Sequence, residues 1–137
     1  MNDRTPTLDV RAALDSADEQ QLRAVIDAHA DRALWGRIAR TATDPKSTAV
    51  AEAALTDVPA VTALEALTAT HRLVTLMTGR RWTTIMHARE DGASWTEIGE
   101  AMGTDAETAR SWYAEKIAAQ RRHLADLHDS TRAEAVL

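Results

Sequence analysis

The 137-residue chain contains no cysteine, no phenylalanine and a single tyrosine. Without cysteine it can form neither a disulfide framework nor a thiolate metal site. No segment alternates apolar and polar residues over the length of a strand. The hydrophobic residues, 45% of the chain, are largely alanine and leucine, and both favour helices. The sequence therefore predicts an all-α protein.

Signals for membranes, metals and enzyme chemistry are also missing. The segment Met1–Pro6 lacks the apolar region of a signal peptide, and no apolar run is long enough to span a bilayer. We therefore expect a cytoplasmic protein with no membrane partner. There is no calcium loop, phosphate-binding glycine loop or nucleophile elbow, so we expect no cofactor, no metal and no enzyme. His29 lies on an apolar face and is expected to be a core or boundary residue. The other histidines lack the spacing or the carboxylate neighbours of a zinc helix: His71, His87, His123 and His128.

Positive charge is scarce overall, because the net charge is −5. Residues 1–71 carry seven Lys/Arg against eleven Asp/Glu, whereas residues 72–122 carry eight against seven. Residues 123–137 carry one against three. Acidity normally opposes nucleic-acid binding, since phosphate contacts rely on lysine and arginine. The acidity lies at the two ends, so the middle segment is the one that remains compatible with such binding.

The N-terminal half contains helix signals separated by breaks. Thr7–Val10 is predicted to open a short helix, and Ser16–Glu19 has the spacing of a capping box that begins a second helix. Thr43–Pro45 breaks this helix, and Ser47 is expected to cap a third. One apolar face of the second helix is predicted at Leu22, Val25, Ile26, His29 and Ala33.

A second break at Thr56–Pro59 precedes a predicted helix that extends to about Thr78. Gly79 can end this helix as a C-cap, yet apolar residues stay in phase across it, so one longer helix is the alternative. We expect an acidic helical region over residues 1–78, serving oligomerisation or partner binding. A ligand pocket among residues 17–78 is a further alternative.

Capping and turn residues at regular intervals indicate three helices between Trp82 and Tyr113. The first is predicted to end at Asp91–Gly92, and Ser94 to cap a short second helix that lasts to Met102. Gly103 makes the turn, and Asp105 or Thr104 caps the third helix. Gly99 is expected where the second and third helices approach closely. The predicted inward residues are Ile85, Met86, Ile98, Met102, Ala109 and Trp112, and Trp82 and Trp95 are also assigned to packing.

The outward face of the third helix follows helical spacing through Glu107, Arg110, Ser111 and Ala114. The stretch Ala88–Gly99 is similar to a sequence segment common in helix-turn-helix transcription regulators of actinobacterial type. That resemblance covers about residues 80–122. It implies that the third helix, residues 105–122, enters the major groove of double-stranded DNA. By position, the base-facing role falls to Ala106, Glu107, Arg110, Ser111 and Ala114, with Thr96 and Thr104 as candidates for backbone contacts.

Two residues depart from the family pattern. Thr104 follows the turn glycine where an apolar residue is usual, and Asp105 and Glu107 bring acid to the start of the third helix. Asp105 is available for capping, while Glu107 is suited to cytosine N4 and Arg110 to guanine O6 and N7. The sequence-independent phosphate contacts are assigned to Arg80, Arg81, Lys116, Arg121 and Arg122.

Beyond Trp112 a second apolar stripe is predicted on a helix that continues to about His128. Its members are Tyr113, Ile117, Leu124 and Leu127. Two explanations are open: the stripe packs on the N-terminal helices, or it forms the seam of a homodimer. Residues 79–128 are therefore expected to be the DNA-binding region, and 129–137 a flexible tail. The alternative function is an acidic helical adaptor, such as an antitoxin-like module, that binds a protein through the same face.

Overall fold

A computed structural model describes residues 7–124 and 130–137, and these residues form seven α-helices and no strand. The protein is all-α, as the sequence predicts. The chain divides between Leu76 and Met77 into two compact units, here called the N-terminal and C-terminal units. The helices are α1 (Val10–Asp15), α2 (Glu19–Thr41), α3 (Pro45–Asp57), α4 (Ala63–Glu90), α5 (Trp95–Met102), α6 (Ala106–Leu124) and α7 (Thr131–Glu134).

Aspartates, not serines, cap the first helices of the N-terminal unit. Asp18 accepts from the N–H of Gln21 at 3.1 Å, so the predicted capping box at Ser16–Glu19 is wrong. Ser16 instead ends α1, where its hydroxyl donates to the carbonyl of Ala13. The physical reason is that a carboxylate accepts more strongly than a hydroxyl and interacts favourably with the positive end of the helix dipole.

The same competition decides the start of α3. Asp44 accepts from the N–H of Ser47 at 2.8 Å, and Pro45 occupies the first turn. Ser47 was expected to cap this helix, and that prediction is wrong. Its backbone N–H is instead the group that Asp44 caps. Hydrogen bonding to the Ser47 side chain, and then to its backbone N–H, holds the pKa of Asp44 below its ordinary value.

The N-terminal unit has its own core, in which α1 and α2 pack with the first turns of α4. On α2 the buried residues are Leu22, Val25 and Ala28, while His29 is half-buried and Ala33 is exposed. The predicted apolar face was therefore wrong at Ala33. The core comprises Ala13, Leu22, Val25, Ala28, Val61, Ala66 and Ala69.

Helix α4 begins at a capping box that the sequence analysis missed. The hydroxyl of Thr62 accepts from the N–H of Glu65 at 3.2 Å, and the Glu65 carboxylate accepts from the N–H of Thr62 at 2.8 Å. The helix then continues through Gly79 to Glu90, which is the longer of the two alternatives. An interior glycine costs a helix only about 1 kcal/mol, so one such residue does not end it. No described helix combines the length and the apolar character needed to cross a membrane.

The C-terminal unit is built from the end of α4 with α5, α6 and α7. Its buried core contains Ile85, Met86, Ile98, Ala109, Tyr113, Ile117 and Ala133. Ala133 belongs to α7 and is 2% exposed, and Val136 and Leu137 also pack on this core. The expectation of a flexible tail is therefore wrong for residues 130–137, because apolar side chains hold this segment against α6. Residues 125–129 lie outside the described residues.

Candidate functional site

The helix-turn-helix of the C-terminal unit begins at Ser94. Its hydroxyl accepts from the N–H of Glu97 at 3.1 Å, while the Glu97 carboxylate accepts from the N–H of Ser94 at 2.7 Å. These bonds form a capping box and lower the pKa of Glu97. The helix α5 ends at Gly103, whose φ of 72° is left-handed and favours glycine. The expected bounds of α5 are confirmed.

Gly99 sits where α5 approaches the start of α6. A Cβ atom added there would lie 2.8 Å from the backbone carbon and oxygen of Asp105 and 2.9 Å from the carbonyl oxygen of Thr104. The N–H of Thr104 also donates to the carbonyl of Gly99 at 2.8 Å. The predicted close approach at Gly99 is confirmed, and it fixes α6 relative to α5.

Asp105 caps α6. Its Oδ1 accepts from the N–H of Thr108 at 2.6 Å, and this bond holds the pKa of Asp105 below its ordinary value. The carboxylate is thus bound to the first turn of its own helix. Both acidic residues at the beginning of α6 are exposed, but only the Asp105 carboxylate is engaged in capping this helix.

Helix α6 has one buried line and one exposed line. Ala109, Tyr113 and Ile117 recur every four residues and are at most 2% exposed. Glu107, Arg110 and Ser111 lie on the other side and are exposed. The structure therefore brings these three predicted base-facing residues together on one accessible surface.

Two other predicted base-facing residues lie at the margins of that surface. Ala106 and Ala114 are half-buried. Ala114 lines an open cleft of about 500 Å³ between α6 and the α7 segment, together with Arg121, Arg122 and Glu134. Of the two threonine candidates, Thr96 is exposed near the start of α5 and Thr104 is half-buried.

The predicted phosphate-binding cations have different surroundings. Arg81 from α4 and Lys116 from α6 both lie over the ring of Trp112, at 5.1 and 5.4 Å from its centroid. Arg121 is paired with Glu134 at 2.8 Å. Arg80 and Arg122 are exposed. Trp112 packs against the core, as expected, but its two cationic neighbours were not foreseen as a group.

Trp95 also has a cation over its ring, but this cation forms hydrogen bonds with backbone carbonyls as well. The Arg89 guanidinium lies 5.2 Å from the centroid of the Trp95 ring. The same guanidinium donates to the carbonyls of Ala93 at 2.8 Å and Val136 at 2.9 Å. Arg89 therefore ties α7 to the body of the unit, and its donors are directed inward.

The predicted dimer seam is occupied by the chain itself. Tyr113 and Ile117 are buried under the α7 segment, and the Tyr113 hydroxyl donates to the carbonyl of Ala133. Arg132 adds two 2.6 Å bonds to the carboxylate of Glu90, which lower the pKa of Glu90. A homodimer seam through Tyr113 and Ile117 is therefore wrong. The side chains of Leu124 and Leu127 lie outside the described residues.

The sequence indicated that another segment must pack over this stripe, but it did not indicate that the α7 segment would do so. The available signal was the apolar stripe of α6, which continues beyond the three-helix motif. Ala133 itself gave no signal that it would cover this stripe. Across residues 7–124 and 130–137, no group of three or more His, Asp or Glu side chains is arranged to hold a metal ion. Comparisons of the chain with protein-family models, characterised proteins and solved structures find no match.

Proposed function

We propose that this protein binds double-stranded DNA sequence-specifically, as a small transcriptional regulator that inserts α6 into the major groove. The observation that carries the proposal is the exposed line Glu107, Arg110 and Ser111 on a helix whose opposite line is buried. Capping at Ser94 and Asp105 and the close approach at Gly99 determine the position of α6 relative to α5. A helix held in this way, with an accessible polar line, meets the geometric requirement for reading base edges.

The three exposed side chains suit particular base edges. The Arg110 guanidinium can donate two hydrogen bonds to O6 and N7 of guanine, and the Glu107 carboxylate can accept from N4 of cytosine. The Ser111 hydroxyl both donates and accepts, so it tolerates several bases. These side chains supply specificity, while phosphate contacts supply most of the affinity.

The phosphate contacts are assigned to the cations around α6 and to the start of α5. Arg80, Arg81, Lys116 and Arg122 are the candidates, with Thr96 adding a hydroxyl. Arg121 contributes less, because Glu134 already pairs with it. The engagement of Asp105 in capping reduces the repulsion that its carboxylate would exert on a phosphate.

A binding selection on random duplex DNA at about 0.15 M salt tests the proposal. The wild type is compared with an Arg110→Ala, Ser111→Ala variant. A matched control is Arg40→Ala, Thr41→Ala, an exposed arginine and hydroxyl at the end of α2. We expect an enriched motif with the wild type and the control, and its loss in the α6 variant. No enrichment with folded wild-type protein contradicts the proposal.

The symmetry of the selected motif reports the oligomeric state. A palindromic motif with half-sites about 10 base pairs apart indicates a dimer. The N-terminal unit then supplies the seam, since Tyr113 and Ile117 are buried. Leu64 and Leu67 on α4, which are 75% and 63% exposed, are the candidates for it.

A protein-binding adaptor is the second candidate, and the exposed acid on α6 favours it. Glu107 and Glu115 are both exposed on this helix, and the chain is acidic overall. An adaptor predicts no salt-sensitive DNA binding and a stable complex with a basic protein surface. The selection described above separates the two candidates, because an adaptor enriches no motif.

A further inference from the structure

We infer that Trp112 is a positioning residue that holds Arg81 and Lys116 together as a contact for a DNA backbone phosphate. The inference rests on the proposed function and deepens it. From the sequence alone, Trp112 is predicted to be a packing residue, and Arg81 and Lys116 are separate candidates for phosphate contacts. The structure joins the three side chains into one surface group.

The group is assembled from two helices. Arg81 comes from α4, whereas Trp112 and Lys116 are four residues apart on α6 and therefore share a face. The Arg81 guanidinium carbon is 5.1 Å and the Lys116 ammonium nitrogen 5.4 Å from the centre of the Trp112 ring. Both distances are within the range in which a cation is attracted by an indole. The ring thus has two positive charges beside it.

Neither cation is paired with an acid in residues 7–124 and 130–137. In the described parts of the chain, no carboxylate forms a salt bridge or hydrogen bond with Arg81 or Lys116. The contrast with other cations of the unit is direct, since Arg121 is paired with Glu134 and Arg89 donates to two carbonyls. Both positive charges lie beside the same ring, and an anion bound at this ring is attracted by each of them. The group is therefore suited to a ligand with a negative charge.

The position of the group on α6 indicates which anion. Successive residues of a helix are rotated by about 100°, so Trp112 lies to one side of the line that contains Ser111. In a major groove about 12 Å wide, the central line of an inserted helix faces the bases and its flanks face the two phosphate walls. A cation pair on the flank is thus directed at a phosphodiester of the strand beside it.

The indole gives these long side chains an advantage that exposed cations lack. A free lysine or arginine side chain loses rotamer freedom when it binds a phosphate. Contact with the half-buried Trp112 ring restricts that freedom before the DNA arrives, so less entropy is lost on binding. Trp112 therefore acts through the two cations and needs no base or phosphate contact of its own.

The test is a salt titration of DNA affinity with the full chain, using the selected duplex and an unrelated duplex of equal length. We compare wild type, Trp112→Leu, Arg81→Ala with Lys116→Ala, and the triple variant. The double variant should lower the slope of log affinity against log salt by about 0.9, because one lost phosphate contact contributes about that much. It should weaken binding to both duplexes and leave the selected motif unchanged.

The role of Trp112 is determined by comparing the DNA affinities of these four proteins as a double-mutant cycle. Trp112→Leu is expected to weaken binding about tenfold when the cations are present and to have little effect when they are absent. Trp112→Phe retains a ring and should recover part of the loss. A purely structural role of Trp112 would produce the same loss in both backgrounds, and that result overturns the inference.

The two proposals fail in distinguishable ways. A folded wild type that binds neither duplex overturns both. A wild type that selects a motif through Arg110, while the double variant keeps the wild-type salt slope, overturns only the phosphate contact. The double variant changes one exposed and one half-buried side chain, so it keeps the test decisive if Trp112→Leu does not fold.

Discussion

The Tyr113 hydroxyl donates a 2.6 Å hydrogen bond to the carbonyl oxygen of Ala133, and both residues are buried. This bond joins the middle of α6 to α7. It makes the last segment of the chain a part of the core beneath the candidate DNA-binding helix. The line of α6 that would otherwise be available for a dimer is thereby covered, and the accessible line is left on the opposite side.

Replacement of Tyr113 by phenylalanine is expected to destabilise the C-terminal unit by about 1–3 kcal/mol, because the Ala133 carbonyl loses its buried partner. The aromatic ring and its packing are retained. Urea unfolding followed by tryptophan fluorescence measures the change. In a Trp35→Phe background all emission comes from Trp82, Trp95 and Trp112, which lie in the C-terminal unit. An unchanged unfolding midpoint and slope would contradict the prediction.

The ionisation of Tyr113 predicts a loss of stability in alkali. Burial, and then the negative charge of Glu90, raise the pKa of Tyr113 above 10.0. The folded chain therefore keeps this proton at a pH where the unfolded chain has released it. The contribution is fully present below the unfolded pKa and is lost as the pH rises through the folded pKa. Stability measured from pH 9 upward, which brackets the ordinary tyrosine pKa of about 10, should fall more steeply in wild type than in Tyr113→Phe.

The parts of the fold that were predictable from the sequence depend on local signals. Ser94, Gly103 and Asp105 each act on backbone groups within about one turn, so the bounds of α5 and the start of α6 follow from short segments. Where two possible capping residues lie in the same short segment, the spacing of a capping box does not determine which of them caps the helix. Ser16 and Asp18 illustrate this, because the carboxylate begins the helix and the hydroxyl ends the previous one.

The parts that were not predictable depend on contacts between distant segments. Ala133 is buried in the core around Tyr113, twenty residues earlier, whose hydroxyl donates to the Ala133 carbonyl. Arg81 meets Trp112 only after α4 and α6 have packed. Spacing on one helix places Glu107, Arg110 and Ser111 on a common line, but it does not show that a neighbouring segment half-covers Ala114.

A methyl group at Gly99 is expected to disturb both stability and DNA binding. The new Cβ would meet backbone atoms of Thr104 and Asp105 at less than 3.0 Å, so α6 must shift. We expect Gly99→Ala to cost about 1–3 kcal/mol, as overpacked sites do. Gly79→Ala is the matched control, because beyond its own chain neighbours and helix backbone no atom lies within 4 Å of its Cβ position, and alanine favours a helix by about 0.5–1 kcal/mol. Equal stability of the two variants in thermal unfolding would refute the close approach.

The exposed carboxylate of Glu107 predicts a change in base preference. A carboxylate accepts from cytosine N4, whereas the amide of glutamine both donates and accepts and pairs with adenine. In the proposed complex, Glu107→Gln should replace cytosine by adenine at one position of the selected motif, with the other positions unchanged. The loss of one negative charge should also raise affinity for all duplexes. Glu115→Gln, on the same helix, is the control and should leave every motif position unchanged; an identical motif in Glu107→Gln would exclude a base contact.

The pairing of Arg121 with Glu134 predicts a variant that binds DNA more tightly. In Glu134→Gln the salt bridge is lost, and the Arg121 guanidinium becomes available to a phosphate. We expect a severalfold gain in affinity and a salt slope steeper by about 0.9, corresponding to one added phosphate contact. Thermal stability should change little, because both partners are partly exposed.

The control for this variant removes the same charge elsewhere. Glu52→Gln changes the net charge equally but lies on α3 of the N-terminal unit and forms no salt bridge within the described residues. If the gain came from net charge alone, both variants would bind more tightly with an unchanged slope. A steeper slope in Glu134→Gln only would indicate that α7 restrains a phosphate-binding arginine, whereas equal behaviour of the two variants would exclude that role for Glu134.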